Sequence, residues 1–554
     1  MAEEKAKRTH RDFTAGTYVG DKVPKLTRII YPWSGIFRDA CYALVGTFLL
    51  QYTMFSGVLS TDPATYTAQM NVITIALIIA LIWDGLNDPI MGFILEKCHF
   101  KYGKFRPWIL LGGIGNAVVV ILMFAGLATG WTYVGLMILF YFIWDLVFTM
   151  NDIGYWSMLP SLTSDEKERA KITTKVTLAT TIGAFAMNIV CMLVPGGENS
   201  ESTALFYKYA AIVVALLFLI SQAAVFFFCK EKVRDPKQEE VSKKTKFTDM
   251  FTMLAKNKPL LMSVIAMFLY YVASGFLTGI GLNYFYCAYG YGGNKGGLLA
   301  SLLSVVFVVA TIVAQALYPA MAKKWKKQTI LTVTFITIVI SYLGFLFIGF
   351  PLFGDRPLAY SDLSASTGMM EGIGLIFSGT ASLLFIPAIL FFAASGVFYL
   401  TLLVMFQNAI DYNELKNGER KESVAFSWRP LDAKFSSATL KGVQNLTFII
   451  AGLYFSVITP ISAAEGKYNS TYPHDPADKT AFDNEVAAII QNVQPSQLAT
   501  LGYIVIGVII LVFTGAYCCL HFGYKISEDE YVGIVKELDI RHAKDLSESQ
   551  VVKQ

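Results

Sequence analysis

Charged side chains are scarce in this chain. Asp, Glu, Lys and Arg together make up 16% of its 554 residues, whereas 55% of the residues are hydrophobic. The mean hydropathy of +0.51 argues against a soluble enzyme built around one large core. Few charges combined with long apolar runs instead indicate a protein that crosses a membrane many times.

Paired cysteines and a cleavable signal are also missing. The seven cysteines are scattered, with no CxxC pair or zinc-type spacing, which argues against a disulfide framework or a metal knuckle. The first sixteen residues, MAEEKAKRTHRDFTAG, are polar and lack the apolar centre of a signal peptide. We therefore expect the first membrane segment to act as its own insertion signal.

About twelve apolar segments are long enough to span a bilayer, by the rule that ~20 apolar residues cross it. Their starts are near residues 28, 70, 108, 131, 171, 205, 260, 297, 328, 373, 422 and 498. The charged stretch 229–247 separates them into two sets of six and reads as a solvated connector. We therefore predict an all-α membrane protein with twelve transmembrane helices in two six-helix bundles. The predicted divisions are an N-terminal tail (1–27), an N-terminal bundle (28–229), a linker (230–259), a C-terminal bundle (260–523) and a C-terminal tail (524–554).

Lysine and arginine placement predicts the orientation. Basic residues concentrate in alternate loops, for example in 96–107, 164–171 and 323–327. The positive-inside rule places these loops, and the linker, in the cytoplasm. An even number of spans then puts both terminal tails in the cytoplasm and the long loop 462–491 outside.

The strongest functional signal is a polar cluster in the second apolar segment, IALIIALIWDGLNDPIMGFIL. Inserting a charged side chain at bilayer depth costs roughly 2.5–3.5 kcal/mol of free energy, so two carboxylates at this depth indicate a functional role or a compensating partner. Asp84, Asn87 and Asp88 stand at i, i+3 and i+4 and so share one helix face. Their oxygens could converge on a small cation or share a proton, which would relieve the repulsion between the acids. A buried structural pair is the alternative.

Two further segments carry polar residues that suit a sugar. Arg38 and Asp39 interrupt the first apolar segment, and Asp152 and Trp156 are four residues apart in the fourth. Sugar hydroxyls donate to a carboxylate, and the apolar face of a sugar ring packs on an indole. The alternatives are helix-end charges that reach the interface and an interfacial tryptophan. We assign neighbouring Asp145 and Trp144 a structural role.

The eleventh segment is unusually rich in charge, with Arg429, Asp432, Lys434 and Lys441. Lys434 could neutralise the acids of the second segment across the interface between the two halves. The alternative is a lysine at the cytoplasmic helix end that reaches water. Arg429 and Asp432 lie closer to a basic loop, and for them a structural role and a functional one stay open.

Several of these motifs together resemble one family. The loop GFILEKCHFKYGKFRP resembles the signature of the major facilitator superfamily, on Gly92, Glu96, Lys97, Gly103, Lys104 and Arg106. More specifically, WDGLNDPIMG, KYGKFRPWILLGG, NDIGYWSMLP and IDYNELKNGERKES resemble the glycoside–pentoside–hexuronide:cation symporters of the melibiose permease type. The resemblance implies a major facilitator fold with the substrate bound between two halves near the midplane.

The resemblance also implies roles for individual residues. The cation site would comprise Asp84, Asn87, Asp88 and Thr149, with the two acids as ligands if the ion is Na+. The sugar site would comprise Arg38, Asp39, Asp152 and Trp156, with Lys175 as the nearest basic residue to the family's helix 5 arginine. Lys434 would couple the two sites, or Lys441 if the alignment contains a gap there.

We therefore expect a carrier of the plasma (inner) membrane that moves a sugar or glycoside together with Na+, H+ or Li+, without covalent chemistry or a cofactor. The expected partners are the sugar, the monovalent cation and the bilayer, and no nucleic acid; the oligomeric state stays open. One alternative is a carrier of the same superfamily for a lysolipid or another non-sugar solute. A remote alternative is a membrane prenyltransferase with magnesium on Asp84 and Asp88, but no second aspartate-rich motif accompanies them.

Overall fold

A computed structural model describes residues 17–18, 23–97, 102–162, 166–193, 202–232, 248–417, 428–471 and 475–551. Within these ranges the chain is helical, apart from two-residue strands and the connecting turns. Strand β1 (Thr17–Tyr18) pairs in parallel with β2 (Glu231–Lys232). The predicted all-α class is confirmed.

Six long helices build the N-terminal half, close to the predicted starts. They are α1 (Lys25–Phe55), α2 (Pro63–Lys97), α3 (Arg106–Met123), α4 (Gly130–Ser161), α5 (Glu166–Leu193) and α6 (Thr203–Phe228). Helix α1 packs against α5 and α6, and α3 packs against α4 and α6. Sequence hydropathy therefore located the start of each helix of this half to within about seven residues.

The described part of the C-terminal half contains seven helices of more than 20 residues and several shorter ones. They are α7 (Thr248–Lys256), α8 (Lys258–Tyr289), α9 (Gly296–Lys324), α10 (Lys327–Gly349), α11 (Met369–Ser378), α12 (Phe385–Asn417), α13 (Trp428–Ile450), α14 (Thr459–Ser470), α15 (Pro476–Gln491), α16 (Pro495–Cys518) and α17 (Glu528–Val551). Helix α12 packs against α9 and α10, and α8 packs against α16 and α13.

Two predicted features of this half differ in the structure. The apolar run that starts near residue 373 belongs to the short helix α11, because extended backbone at Gly379 ends that helix before α12 begins. The segment 462–491 is largely helical rather than a plain loop, since it forms the end of α14 and all of α15. The predicted start near residue 422 lies outside the described residues.

In the described part of the chain, the structure contains up to eleven helical spans where the sequence predicts twelve. Ten helices of the described chain are long and apolar enough to cross a membrane. Helix α13 and the segment that follows it pass this test together, but they are bent by 78° at the break between them. Helix α1 has 31 residues, and its apolar run is interrupted by Arg38 and Asp39.

Close helix packing places the charged part of α1 inside the N-terminal half. A Cβ atom at Gly183 of α5 would lie 1.9 Å from the Ile36 carbonyl oxygen. The two backbones therefore touch directly, since no larger residue than glycine fits this crossing. Arg38 follows two residues later, and its side chain is only 3% exposed.

The two halves meet at the end of the bundle where α1 ends and α2 begins. Gly57 has φ +73°, and a Cβ atom there would lie 2.4 Å from the Gly466 Cα. Beside this contact, the buried Glu465 accepts hydrogen bonds from the Thr203 hydroxyl at 2.5 Å and the Tyr291 hydroxyl at 2.8 Å. Thr203 belongs to the N-terminal half, so the halves are joined at this end.

The first residues of the predicted solvated connector (229–247) are packed against the N-terminal half. Glu231 is buried, and its carboxylate accepts backbone hydrogen bonds from Lys104 at 2.9 Å, Phe105 at 3.0 Å and Arg106 at 2.9 Å. A carboxylate at a helix N-terminus satisfies its free N–H groups, so Glu231 fastens the linker to α3. Helix α7 also falls within the predicted linker, and 233–247 lie outside the described residues.

Candidate functional site

The acids of α2 meet a lysine from the other half of the protein. The Lys434 ammonium on α13 lies 2.9 Å from the Asp84 carboxylate and also contacts the Asp88 carboxylate. It additionally lies 3.4 Å from the Asp84 carbonyl oxygen. This ion pair spans the interface between α2 and α13, as the charge pattern predicts.

The other predicted cation-site residues surround the same acids. The Thr149 hydroxyl of α4 donates to the Asp84 carboxylate at 3.3 Å. Asn87 is buried one turn along α2, and its amide nitrogen has no hydrogen-bond partner among the described residues. Carboxylate, hydroxyl and amide oxygens are therefore concentrated within one turn of α2 and the facing turn of α4.

Asp145, for which we expect a structural role from the sequence, lies beside this cluster. It lies on α4 one turn before Thr149, is 5% exposed and faces Asp84. Its Oδ2 has no hydrogen-bond partner among the described residues. The i, i+4 spacing from Asp145 to Thr149 was the available signal. Trp144 does pack structurally, since its ring lies 5.3 Å from that of Phe148.

The predicted sugar-site residues form a second cluster around the Arg38 guanidinium. Arg38 lies 2.5 Å from the Asp39 carboxylate and also contacts the Asp152 carboxylate of α4. Its Cζ atom stands 4.7 Å from the Tyr155 ring centre and 5.2 Å from that of Trp156. Asp152 and Trp156 remain partly exposed, so they can reach a ligand while Arg38 is enclosed.

Lys175 is not brought into this cluster. Its side chain is exposed on α5, five residues before Thr180, the residue that packs against Gly35 of α1. Five residues correspond to about 7.5 Å along a helix. Because Thr180 lies beside Gly35, the backbone of Lys175 lies toward the start of α1, and its place in the sugar site stays a prediction.

Helix α4 forms a wall shared by the two clusters. Asp145 and Thr149 face α2, whereas Asp152 and Trp156 accompany Arg38 of α1. Asp152 lies within electrostatic reach of Asp88. A change at either cluster therefore acts on the same stretch of helix.

Tyr42 of α1 stands between the two clusters. It lies within electrostatic reach of acids from both, namely Asp39, Asp84, Asp145 and Asp152. Its ring contacts those of Trp144 and Phe148 on α4, with centres 6.0 Å and 5.0 Å apart. No sequence motif pointed to this residue, because its position depends on how α1 packs against α4.

A cavity of 460 Å³ lies between the two halves, beyond these clusters. It is lined from α1, α2 and α5 on one side and from α8, α9, α10, α12 and α13 on the other. On α1 its lining begins at Gly46, seven residues or about 10 Å beyond Asp39. Lys441 lines this cavity, whereas Lys434 meets the acids, so the structure separates the two lysines considered for coupling.

The α2 cluster offers two carboxylates together with hydroxyl and amide oxygens, the donors that hard cations prefer. Within the described chain, no group of three or more His, Cys, Asp or Glu side chains has an arrangement that could hold a metal ion.

The remaining charges of α13 lie apart from both clusters. The Arg429 guanidinium donates to the Tyr399 hydroxyl at 3.1 Å, within the C-terminal half. Asp432 is buried, and its Oδ2 has no hydrogen-bond partner among the described residues. Neither contacts the acids of α2.

Comparisons with known proteins agree with this architecture. The family described as MFS/sugar transport protein matches residues 40–528. The raffinose carrier protein of Pediococcus pentosaceus is 26% identical over 440 residues, covering 77% of this chain and 62% of the relative. A lactose permease of Lactobacillus delbrueckii subsp. bulgaricus is 24% identical over 456 residues, covering 80% of this chain and 66% of the relative. The matches thus span less than two thirds of each relative's length.

A solved structure shows the same fold. The bacterial homologue of the human lysosomal transporter Spinster, in an inward-facing and unoccupied conformation, matches with a TM-score of 0.53 at 12% identity. The match covers 90% of this chain and 96% of that one. The predicted major facilitator fold is confirmed.

Proposed function

This chain belongs to the MFS/sugar transport protein family, as the α2 motif predicted, and from that premise we propose that it is a cation-coupled symporter of a sugar or glycoside. The observation that carries the proposal is the contact of Lys434 with Asp84 and Asp88 across the interface between the halves. The carrier works in the plasma (inner) membrane with both termini in the cytoplasm, and its coupling ion is Na+ or H+.

Lys434 and the coupling ion are alternative counter-charges for the same acids. A cation bound by the oxygens of Asp84, Asp88 and Thr149 makes the ammonium redundant, and a proton on either acid has a similar effect. Because Lys434 belongs to the C-terminal half, its release changes the contact between the two halves. Alternating access around a central site requires such a change.

Helix α4 couples the ion to the sugar. Arg38 holds one oxygen of Asp39 and one of Asp152, which leaves the other oxygens to accept sugar hydroxyls. The Trp156 ring supplies an apolar face for the ring of the sugar. An ion that orders Asp84 and Thr149 also orders the part of α4 that carries Asp152, and it thereby raises the affinity for the sugar. By linkage, bound sugar raises the affinity for the ion by the same factor.

The test is uptake by the purified protein in liposomes. Radiolabelled glycosides, pentosides and uronides are offered under imposed gradients of Na+, Li+ or H+. Asp88→Asn is expected to reduce gradient-driven accumulation by more than about tenfold, because charge–charge and charge-assisted contacts of the ion are lost. Asp62→Asn is the matched control, since Asp62 is exposed at the start of α2. Undiminished accumulation by Asp88→Asn would contradict the assignment.

A carrier of an amphiphilic solute is the second candidate function. Eight phenylalanines line the cavity, namely Phe48, Phe185, Phe285, Phe307, Phe345, Phe391, Phe392 and Phe448. Such a wall suits an acyl chain as well as the apolar face of a sugar. Inhibition of sugar uptake by a lysolipid below its micellar concentration, together with uptake of the labelled lysolipid itself, would favour this candidate.

A further inference from the structure

An open groove of 550 Å³ lies between α2 and α13. On α13 it is lined by Phe435, Thr439, Gly442 and Leu446. These positions are four, three and four residues apart, so they form one stripe along the helix. Thr439 and Leu446 are exposed. Unlike the central cavity, the groove therefore opens to the surroundings of the protein.

The walls of the groove come from both halves of the protein. Ile78 and Ile82 of α2 line it opposite the α13 stripe. A Cβ atom at Gly442 would lie 3.2 Å from the Ile78 Cδ1 atom, so the glycine lets the two helices approach closely at this point. Because α2 and α13 belong to different halves, the shape of the groove depends on how the halves are arranged.

The groove lies next to the ion pair that joins the halves. Phe435 directly follows Lys434 on α13, and Ile82 precedes Asp84 by two residues on α2. One residue of an α-helix corresponds to a rotation of ~100°, so the ion pair and the groove occupy adjacent faces of α13. A ligand in the groove would therefore contact the same helix interface that the Lys434–Asp84 contact crosses.

The lining of the groove suits an apolar ligand. The Thr439 hydroxyl donates to the Phe435 carbonyl oxygen of its own helix at 2.9 Å, so its hydrogen bond is already made. The other lining side chains, including that of Phe268 on α8, are apolar. A polar ligand would lose its hydrogen bonds to water here without replacing them, which is costly, whereas a hydrocarbon chain has none to lose.

The surroundings and the length of the groove favour the acyl chain of a bilayer lipid. Helix α2, and α13 together with the segment after it, are apolar enough to cross a membrane. Exposed apolar side chains continue beyond the groove, at Ile75 and Ile79 of α2 and Ile450 of α13, as on a surface that faces hydrocarbon. From Phe435 to Leu446 the stripe advances about 16 Å, which is about half of the ~30 Å hydrocarbon core, or one leaflet.

We propose that the groove binds one acyl chain of a membrane phospholipid, which fills the space between α2 and α13 and stabilises this arrangement of the two halves. Its binding does not depend on which solute the protein carries. The walls of an empty groove lack dispersion contacts that a lipid chain supplies. A ligand that fits one arrangement of the halves shifts the population toward that arrangement.

The test is photolabelling of the purified full-length protein in detergent micelles. A phosphatidylcholine with a diazirine in the middle of one acyl chain is added at a low molar ratio, and labelled peptides are identified by mass spectrometry. We expect the segments 75–82 and 435–446 to be labelled at least about fivefold more than the exposed Ile220 of α6 and Leu511 of α16, because a groove offers more contacts than a convex surface. Excess unlabelled phosphatidylcholine should remove this preference.

A substitution that fills the groove locates the effect. Thr439→Trp places a large apolar ring in the groove from an exposed position. The labelling of 75–82 should fall to the level of Ile220, and added phosphatidylcholine should raise the thermal unfolding midpoint less than in the unsubstituted protein. Leu511→Trp is the matched control and should retain both effects, since Leu511 is exposed on α16 and does not line the groove.

Three results would overturn the proposal. Equal labelling of the groove segments, Ile220 and Leu511 would show ordinary contact with surrounding lipid, and this readout needs no variant to fold. Equal stabilisation of Thr439→Trp and Leu511→Trp by phosphatidylcholine would show that the lipid acts elsewhere. A dimer in native mass spectrometry with crosslinks between copies through 435–446 would assign the groove to a second copy of the chain.

Discussion

The Lys434 ammonium lies 2.9 Å from the Asp84 carboxylate, although 350 residues separate them in the chain and they belong to different halves. This pair is a direct electrostatic link between α2 and α13. A cation bound at these acids would compete with the ammonium for the same oxygen. We therefore expect ion binding and the relative arrangement of the two halves to be linked through the Lys434–Asp84 contact.

Lys434→Met should uncouple the ion from transport. Without the ammonium, Asp84 and Asp88 repel each other, and a cation or proton stays bound more tightly in every state. We expect gradient-driven accumulation to fall by more than about tenfold, the effect of removing a charged hydrogen-bond partner, while ion binding to the protein persists. Isothermal titration and liposome uptake measure the two quantities. Uptake that remains coupled in Lys434→Met would contradict the role of this contact.

Asp145→Asn tests whether the additional acid belongs to the cation site. Its carboxyl group faces Asp84 from α4, so its removal changes the charge around the ion without touching Arg38. We expect the cation concentration for half-maximal uptake to change by about threefold to tenfold, the size of one moderate electrostatic coupling. The KM for sugar at saturating cation should change little. A changed sugar KM with an unchanged cation dependence would place Asp145 in the other cluster.

Arg38→Met should destabilise the N-terminal half. Removing one partner of a buried ion pair costs about 3–5 kcal/mol when both groups are buried. Asp39 and Asp152 keep 22% and 38% exposure, so we expect about 2 kcal/mol after allowing for solvent screening. Thermal unfolding in detergent measures the loss.

A double substitution provides the control for Arg38. Arg38→Met combined with Asp152→Asn should recover part of the stability, because it removes one uncompensated charge. Additive losses in the double variant would mean that Arg38 acts through packing on the Tyr155 and Trp156 rings instead.

Glu465→Ala should loosen the end of the bundle where α1 ends. Its carboxylate joins the Thr203 hydroxyl and the Tyr291 hydroxyl, and of these contacts the variant keeps the one between the two hydroxyls at 2.9 Å. We expect a cysteine placed at Ser304 in the cavity to react several-fold faster with an impermeant maleimide, since charged hydrogen bonds contribute about 1.5–3 kcal/mol.

Glu485→Ala is the matched control for this measurement. Glu485 is also an acid near this end, but it pairs with Lys467 on the exposed surface at 3.2 Å. Its removal should leave the labelling rate unchanged. An equal rate in Glu465→Ala and Glu485→Ala would show that the buried carboxylate does not hold the halves together.

Part of the candidate cation cluster could be predicted from the sequence because its spacing is local. Asp84, Asn87 and Asp88 share a face of any α-helix, whatever surrounds it, and the family resemblance supplied Thr149 and Lys434. The approach of Asp145 to Asp84 could not be predicted from the sequence, because it depends on the rotation of α4 against α2. The position of Lys175 could not be predicted for a related reason, since the packing of α1 on α5 decides which turn of α5 lies beside Arg38.

By itself, the sequence determined about twelve apolar segments long enough to span a membrane, some of which carry acidic residues. Apolar length and helical periodicity can be read from each segment alone. Only the tertiary structure decided which lysine neutralises those acids and which one enters the cavity. Lys434 and Lys441 lie on the same face of α13 two turns apart, so periodicity cannot tell them apart. Their surroundings differ because α2 presents its acids to one turn of that face, while the cavity opens beside the other.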